Sequence, residues 1–401
     1  REFFCARVAW WSALALPLLP PWWYYSSRGL FPNVPFVAFA LLGGWGIVAL
    51  RRHRRWVVAF LAGAAFGLAV AFRPVEAVWL LPVVAAALGL ERRRLGRLWW
   101  VIVGGAAAVL VPVLVQQALT YGHPLATGYR LPPANLEPAA GAWAFSPFGF
   151  HPRRAAANGW RFFFELLPAL AWPAVLGLAL ELRQWRRLSA AGRWALVATV
   201  GIAAWLVPYY GSAELTDTLD PNAVTLAVAY ARYWLPLSVL LVPYAVVGTS
   251  WVVGHLRGRG APRVAMAVAL AGFAFWSVRL TAQEPLDGLG AVARAVQHGY
   301  RKRVAVARQV PNDAVVIAER SDKIFFPVLP VIATLGDAQV EQALPALLTR
   351  RPVFWYTFMD DAAIAPVRQK LAARGLTVGD FVLIDSTAAP ERLFRFKRLS
   401  P

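Results

Sequence analysis

From position 8 to position 280 the chain alternates between apolar runs and short polar breaks, and each run approaches the ~20 residues that cross a bilayer as helix. The runs cover 8–25, 34–50, 56–72, 75–90, 98–119, 162–182, 194–210, 234–254 and 264–280. They predict an all-α polytopic membrane bundle of about nine transmembrane helices. Several runs contain proline, which a membrane helix tolerates where neighbouring groups re-satisfy the backbone.

Beyond position 280 the pattern changes. The short β-rich runs AVVIAE (314–319), VFWYTF (353–358), FVLID (381–385) and LFRFKRL (393–399) predict strands. Between them, apolar residues at three- and four-residue spacing predict helices over 288–309, 338–349 and 361–374. The chain therefore divides into a transmembrane part, 1–282, and a small α/β domain, 283–401. That domain has no glycine-rich phosphate loop and no metal-spaced His/Cys cluster. No internal repeat of the kind that builds duplicated transporters is visible.

Composition supports the membrane reading, since 59% hydrophobic residues and 19 Trp in 401 residues are too apolar for an ordinary soluble chain. The net charge of +20 would suit a nucleic-acid binder. The basic residues, however, stand in short arginine clusters between apolar runs, with no basic stripe and no recognition motif, so nucleic acid is not among the expected partners. The clusters RRHRR (51–55), ERRRLGR (91–97), RQWRR (183–187) and RGRGAPR (257–263) occupy every second connection, which marks them as cytoplasmic. The connections 26–33, 73–76, 120–161 and 211–233 then face outward, and an odd number of spans leaves the α/β domain extracytoplasmic. Cys5 is alone, so an intrachain disulfide is excluded.

Chemistry-bearing residues gather on the outward connections. In FRPVEAVWLLP (72–82) an arginine, a proline and a glutamate separate two apolar runs, and the stretch reads as a hairpin that keeps Arg73 and Glu76 at the interface. Arg73 is either a snorkelling turn residue or an anion ligand. In TYGHPLATGYRLPP (120–133), Tyr121, His123 and Tyr129 form either an interfacial belt or the lining for an amphipathic substrate. In AYARYWLPL (229–237), Arg232 stands with Tyr233 on the side the positive-inside rule disfavours, and its planar fork suits a lipid phosphate. Arg28 is a third outward arginine. Glu165, four residues after Arg161, is a helix-face partner for it or a functional carboxylate. Glu214, Asp217 and Asp220 could coordinate a divalent metal, although ELTDTLDPN lacks the full calcium-loop pattern.

Five segments carry a resemblance by their order: RVAWWSALALPLLPPWWYYSSRGLFPNVP (7–35), LAGAAFGLAVAFRPVEAVWLLP (61–82), YGHPLATGY (121–129), SPFGFHPRRAAANGWRFFFELLPALAWP (146–173) and ARYWLPL (231–237). Over 7–254 the chain resembles the GT-C glycosyltransferases, in particular the bacterial dolichyl-phosphate-mannose-transferase-like and aminoarabinose-transferase-like members. The resemblance implies a multi-pass inner-membrane enzyme that moves a sugar, with inversion, from a polyprenyl-phosphate donor to an extracytoplasmic acceptor, whether lipid, glycan or protein. It implies Arg73, Arg232 and Arg28 as ligands of the donor phosphate, whose developing charge needs cations. Tyr121, His123, Tyr129, Tyr233, Glu76 and Glu165 would line the substrate. The acceptor hydroxyl needs a general base, usually a carboxylate. The family's acidic pair in the first outer loop has no counterpart here, so the catalytic carboxylates are expected upstream of residue 1. No cofactor is assigned and no metal ligand is named; a divalent metal remains an option whose ligands could also lie upstream. The alternatives are a transporter or lipid flippase, and a non-catalytic membrane scaffold.

Overall fold

The structure, a computed structural model, describes residues 3–29, 31–125, 148–214, 223–227, 230–256, 260–318, 321–385 and 391–399. The chain forms two compact units, Arg1–Ala291 and Val292–Pro401.

The first unit is helical. Its helices are α1 (Ala6–Ala15), α2 (Pro20–Arg28), α3 (Asn33–Ala49), α4 (Trp56–Phe72), α5 (Ala77–Leu95), α6 (Leu98–Tyr121), α7 (Pro152–Gly159), α8 (Pro168–Arg183), α9 (Ala190–Gly211), α10 (Tyr230–Tyr233), α11 (Leu235–Gly254) and α12 (Ala261–Val278). Among the described residues five helical stretches are long and apolar enough to cross a membrane: Pro74–Leu95, Leu98–Tyr121, Ala190–Gly211, Leu235–Gly254 and Ala261–Gln283. This is a membrane-embedded helical protein.

The expectation of about nine spans is met only in part, and proline explains two of the differences. The run 8–25 is not one helix: α1 passes into a 3₁₀ turn at Leu16–Leu18, Leu19 is extended (φ −63°, ψ 118°), and α2 starts afresh at Pro20. Pro17, Pro20 and Pro21 lack the N–H that a continuous helix would use. The run 162–182 is bent: Pro152–Glu165, which ends in a π-helical segment at Trp160–Glu165, meets Pro168–Arg183 at 104°. Pro168 forces Leu167 out of the helical region (φ −122°, ψ 47°). Helices α3 and α4 are apolar but only 17 residues each, about 25 Å long and at the lower limit for a span.

Two helix crossings depend on glycine. A Cβ on Gly63 of α4 would lie 1.8 Å from the Ile102 carbonyl oxygen of α6, and one on Gly105 would lie 2.1 Å from that of Phe60. Gly177 of α8 faces the Tyr244 carbonyl of α11 at 1.9 Å by the same measure, and Gly248 faces that of Pro173 at 2.1 Å. In lipid, where burying apolar surface gives helices little reason to associate, such backbone contact supplies the packing.

The second unit contains most of α13 (Leu289–Gln309), then β1 (Val315–Ala318), α14 (Asp322–Phe325), β2 (Val331–Ile332), α15 (Ala338–Leu348), β3 (Val353–Thr357), α16 (Asp361–Ala372), β4 (Leu376–Asp385) and β5 (Glu391–Arg398). The sheet order is β2-β1-β3-β5-β4, with β2, β1 and β3 parallel and β5 antiparallel to both β3 and β4. Every residue of β1 and β3 is buried, because helices cover both faces. Ile317, Trp355 and Phe394 pack with Leu344 of α15 and Ile364 of α16 on one side. Val316, Phe354 and Tyr356 pack with Val306 of α13 and Phe325 of α14 on the other. The α/β pattern read from the sequence is therefore present, within one or two residues for most elements. Strand β2 was not expected, because two residues are too few to show a period.

Candidate functional site

Pro74 creates the first part of the site. It pushes Arg73 out of the helical region (φ −143°, ψ 82°), ends α4, and starts the 3₁₀ turn Pro74–Glu76 that leads into α5. Arg73 and Glu76 thus face each other three residues apart, with Nη2 to Oε1 at 2.9 Å. The end of α9 supplies Tyr210, whose hydroxyl accepts from Arg73 Nη2 at 2.8 Å and donates to Glu76. Trp79 Nε1 donates to the other Glu76 oxygen. Glu76, 2% exposed, is therefore engaged by three donors and acts as the counter-ion of Arg73.

The short α10 ahead of α11 brings up the second arginine. The Tyr233 ring stacks on Tyr210 (4.8 Å, 16°). The Arg73 guanidinium lies 5.1 Å from the Tyr233 ring centre, and that of Arg232 lies 4.8 Å from it. Arg232 also stands 5.3 Å from the Phe31 ring and donates from Nη2 to the Tyr233 hydroxyl at 3.0 Å. Asn33, the first residue of α3, fixes this corner by donating to the Arg232 carbonyl at 3.0 Å. Two guanidiniums thus share one aromatic ring, and Glu76 is the carboxylate that pairs with Arg73. The Nε atoms of Arg73 and Arg232 are buried with no hydrogen-bond partner among the described residues.

Arg28 belongs to a neighbouring group. It is exposed, donates to the Tyr24 hydroxyl at 2.6 Å, and that hydroxyl donates to the Asp287 carbonyl at 2.8 Å. Thr225 donates to the Asp287 carboxylate. Burial raises the Asp287 carboxyl above its ordinary value, with the Thr225 hydrogen bond opposing. The rings of Tyr24, Tyr25 and Phe31, at successive edge-to-face distances of 5.1 and 5.2 Å, connect this group to the ring beneath Arg232.

Beside the site lies an apolar cavity of about 320 Å³ at the bend between α7 and α8, lined among others by Trp160, Phe163, Phe164, Val175 and Val207. Phe163 meets Trp234 edge-on at 5.4 Å, and Trp234 directly follows Tyr233.

The other residues singled out from the sequence are placed elsewhere. Tyr121 is exposed at the end of α6, and His123 is exposed with its Nδ1 accepting from the Leu125 amide at 3.1 Å, a local turn contact. Glu165 is exposed at the end of the π-helical segment, and no described hydrogen bond or ion pair joins it to the arginines. Tyr129, Asp217 and Asp220 lie outside the described residues. Glu214 pairs with Arg154 at 3.0 Å. Among the described residues no group of three His, Cys, Asp or Glu could hold a metal ion.

Sequence reasoning missed Tyr210, Trp79 and Asp287. Tyr210 is the last residue of the apolar run 194–210, and Asp287 stands in EPLDGLG just after the last run, positions with no local signal that sets them apart. Only the fold shows that one joins Arg73 to Glu76 and that the other receives Thr225. No family model, curated protein or solved structure matches this chain.

Proposed function

We propose that this protein is a GT-C-type membrane glycosyltransferase that passes a sugar from a polyprenyl-phosphate donor to an acceptor on the side of the bilayer where Arg73 and Arg232 lie. The observation that carries the reading is the pair of guanidiniums around Tyr233, each with a buried Nε that has no partner among the described residues, beside the Glu76 carboxylate that pairs with Arg73. Departure of a lipid phosphate from the anomeric carbon concentrates negative charge on that phosphate, and fixed guanidinium donors stabilise it most in the transition state. The apolar cavity, whose Phe163 meets the Trp234 ring next in sequence to Tyr233, suits the isoprenoid tail of the same donor.

The proposed orientation has its own support. The clusters at 51–55 and 91–97 meet away from this site, where Arg51 Nη2 pairs with Glu91 at 2.5 Å. Two of the four clusters expected on the cytoplasmic side therefore share one end of the bundle. Glu76 is committed to three donors and is a poor general base, so the reading places the base elsewhere.

The test is binding of a fluorescent polyprenyl phosphate to the purified protein, followed by sugar transfer from the loaded donor. Saturable binding that polyprenyl phosphate competes for and the free polyprenol does not, together with turnover, is the expected result. Absence of binding to any polyprenyl phosphate overturns the reading.

A second reading, transport or flipping of a lipid-linked sugar, draws on the 104° bend between α7 and α8, since transporters bind substrate at interrupted helices. Proteoliposomes separate the two readings: a transporter moves the labelled lipid unchanged across the bilayer, whereas the transferase splits it.

A further inference from the structure

Helix α13 carries a face that the described chain does not cover. Its 21 residues include Arg294, Arg301, Lys302, Arg303 and Arg308 and no Asp or Glu. The C-terminal half packs on the sheet through Val306. The N-terminal half does not: residues 293–298 are all exposed, as are Tyr300 and Arg301. Val296 is 66% exposed and Tyr300 58%, and together with their neighbours they form a patch, not isolated surface residues.

These positions are ordered by the helical repeat. Ala293, Val296 and Tyr300 fall on one stripe, with Arg294 and Arg301 along one edge. Arg303 flanks the other edge, its guanidinium 5.0 Å from the Tyr300 ring centre. On the same layer of the sheet, the turn after α14 exposes Phe326 (67%) and Val328 (56%). Gly299 of α13 brings the two together, since a Cβ there would lie 3.7 Å from the Ile324 side chain of α14.

What could cover such a face is limited by where the helix starts. The last membrane-crossing stretch ends at Gln283, and residues 284–288 alone separate it from Leu289. A linker that short reaches at most about 20 Å, so α13 begins close to the headgroup layer. An apolar stripe bordered by arginines, with aromatic tips beside it, matches the layer in which headgroup phosphates overlie the first methylenes.

We propose that the exposed face of α13, with Phe326 and Val328 beside it, lies on the surface of an anionic bilayer. The arginines pair with lipid phosphates while Val296, Tyr300 and Phe326 enter the boundary with the acyl chains. The inference rests on the membrane embedding of the first unit and is independent of the sugar-transfer reading.

The experiment uses the full chain with Cys5→Ser and Val296→Cys, the new thiol carrying a polarity-sensitive fluorophore, in nanodiscs of phosphatidylglycerol or of phosphatidylcholine. Gln369→Cys, exposed on α16, is the reference position. In phosphatidylglycerol the probe at position 296 should emit at shorter wavelength than the reference and be quenched by lipids spin-labelled near the glycerol. Quenching should fall several-fold in phosphatidylcholine, in high salt, and in the Arg294→Glu/Arg301→Glu variant. An unquenched probe in phosphatidylglycerol overturns the proposal. So does a wavelength shift without lipid quenching, which would mean that a protein surface or a second copy covers the face. Quenching indifferent to lipid charge and to charge reversal overturns it as well.

Discussion

Arg73, at the end of one membrane helix, donates to the hydroxyl of Tyr210, at the end of another, across 2.8 Å. The same hydroxyl donates to Glu76, so a single phenol joins a buried cation to its counter-ion and ties the α4–α5 hairpin to α9. Glu76→Gln leaves the Arg73 charge buried without compensation, and the expected loss is about 3–5 kcal/mol. Tyr210→Phe removes hydrogen bonds but keeps the ion pair, and the expected loss is about 1–3 kcal/mol. The Arg73→Leu/Glu76→Leu double variant should be more stable than Glu76→Gln alone. Thermal unfolding in detergent, read from tryptophan emission, checks the order; a double variant less stable than the single one would show that the pair itself stabilises the fold.

The two arginine groups should differ in their effect on an anionic lipid. Arg232 is held between the rings of Phe31 and Tyr233 with a buried Nε that has no partner among the described residues, whereas Arg28 is exposed and occupied with Tyr24. Arg232→Ala should weaken polyprenyl-phosphate binding by about tenfold or more, equivalent to about 1.4 kcal/mol, and Arg28→Ala by much less. Arg232→Lys should not restore it, because an ammonium lacks the planar fork that can lie on the ring and still offer paired donors to a phosphate. Titration of a labelled polyprenyl phosphate against each variant measures this, and equal losses for Arg28 and Arg232 would remove the distinction between the groups.

Adjacent glycines in α6 make a sharper test of packing. No neighbouring element among the described residues comes within 4 Å of a Cβ placed on Gly104, while one on Gly105 would meet the Phe60 carbonyl oxygen at 2.1 Å. Gly105→Ala must part α4 from α6 and should cost about 1–3 kcal/mol or more. Gly104→Ala gains helix propensity, worth about 0.5–1 kcal/mol in the other direction. Unfolding temperatures of opposite sign at neighbouring positions are the expected outcome, and a neutral Gly105→Ala would mean that the crossing is looser than these distances.

These glycines also mark what the sequence could and could not show. Hydropathy located most of the long helices of the first unit, because apolar length is a local property, and β-rich composition located β1, β3, β5 and the second half of β4, although α7 lies in a stretch read as a connection. Helix continuity was misread at 8–25 and 162–182, where proline and a π-helical segment outweigh apolar length. Of the site, Arg73, Glu76, Arg232 and Tyr233 were legible as polar residues out of place among apolar runs. Tyr210 was not, since tyrosine at a span end is ordinary, and its significance comes from Glu76, 134 positions away. Tyr121, His123 and Glu165 have the same local signal as the residues that do converge, yet the described contacts leave them outside the cluster.

The α/β unit offers a prediction in pH. Glu341, 6% exposed on α15, accepts from Lys370 Nζ and Arg374 Nη1 of the segment that closes α16, each at 2.5 Å. The Lys370 hydrogen bond first, and then Arg374, hold the carboxyl below its ordinary value of 4.5. A carboxyl lowered by folding adds stability in full above the unfolded value, and that stability is lost as the pH falls through the lower, folded value. At pH 7 Glu341→Gln should therefore loosen the packing of α15 on α16 by about 1–2 kcal/mol, the moderate figure reflecting partial exposure of both cations. Below pH 4.5 the gap between variant and wild type should narrow, since the wild-type carboxyl itself becomes protonated. Hydrogen-exchange protection of α15 and α16, compared between the two proteins at each pH, reads the difference directly. A gap that stays constant down to the acid limit would assign Glu341 a packing role in place of an electrostatic one.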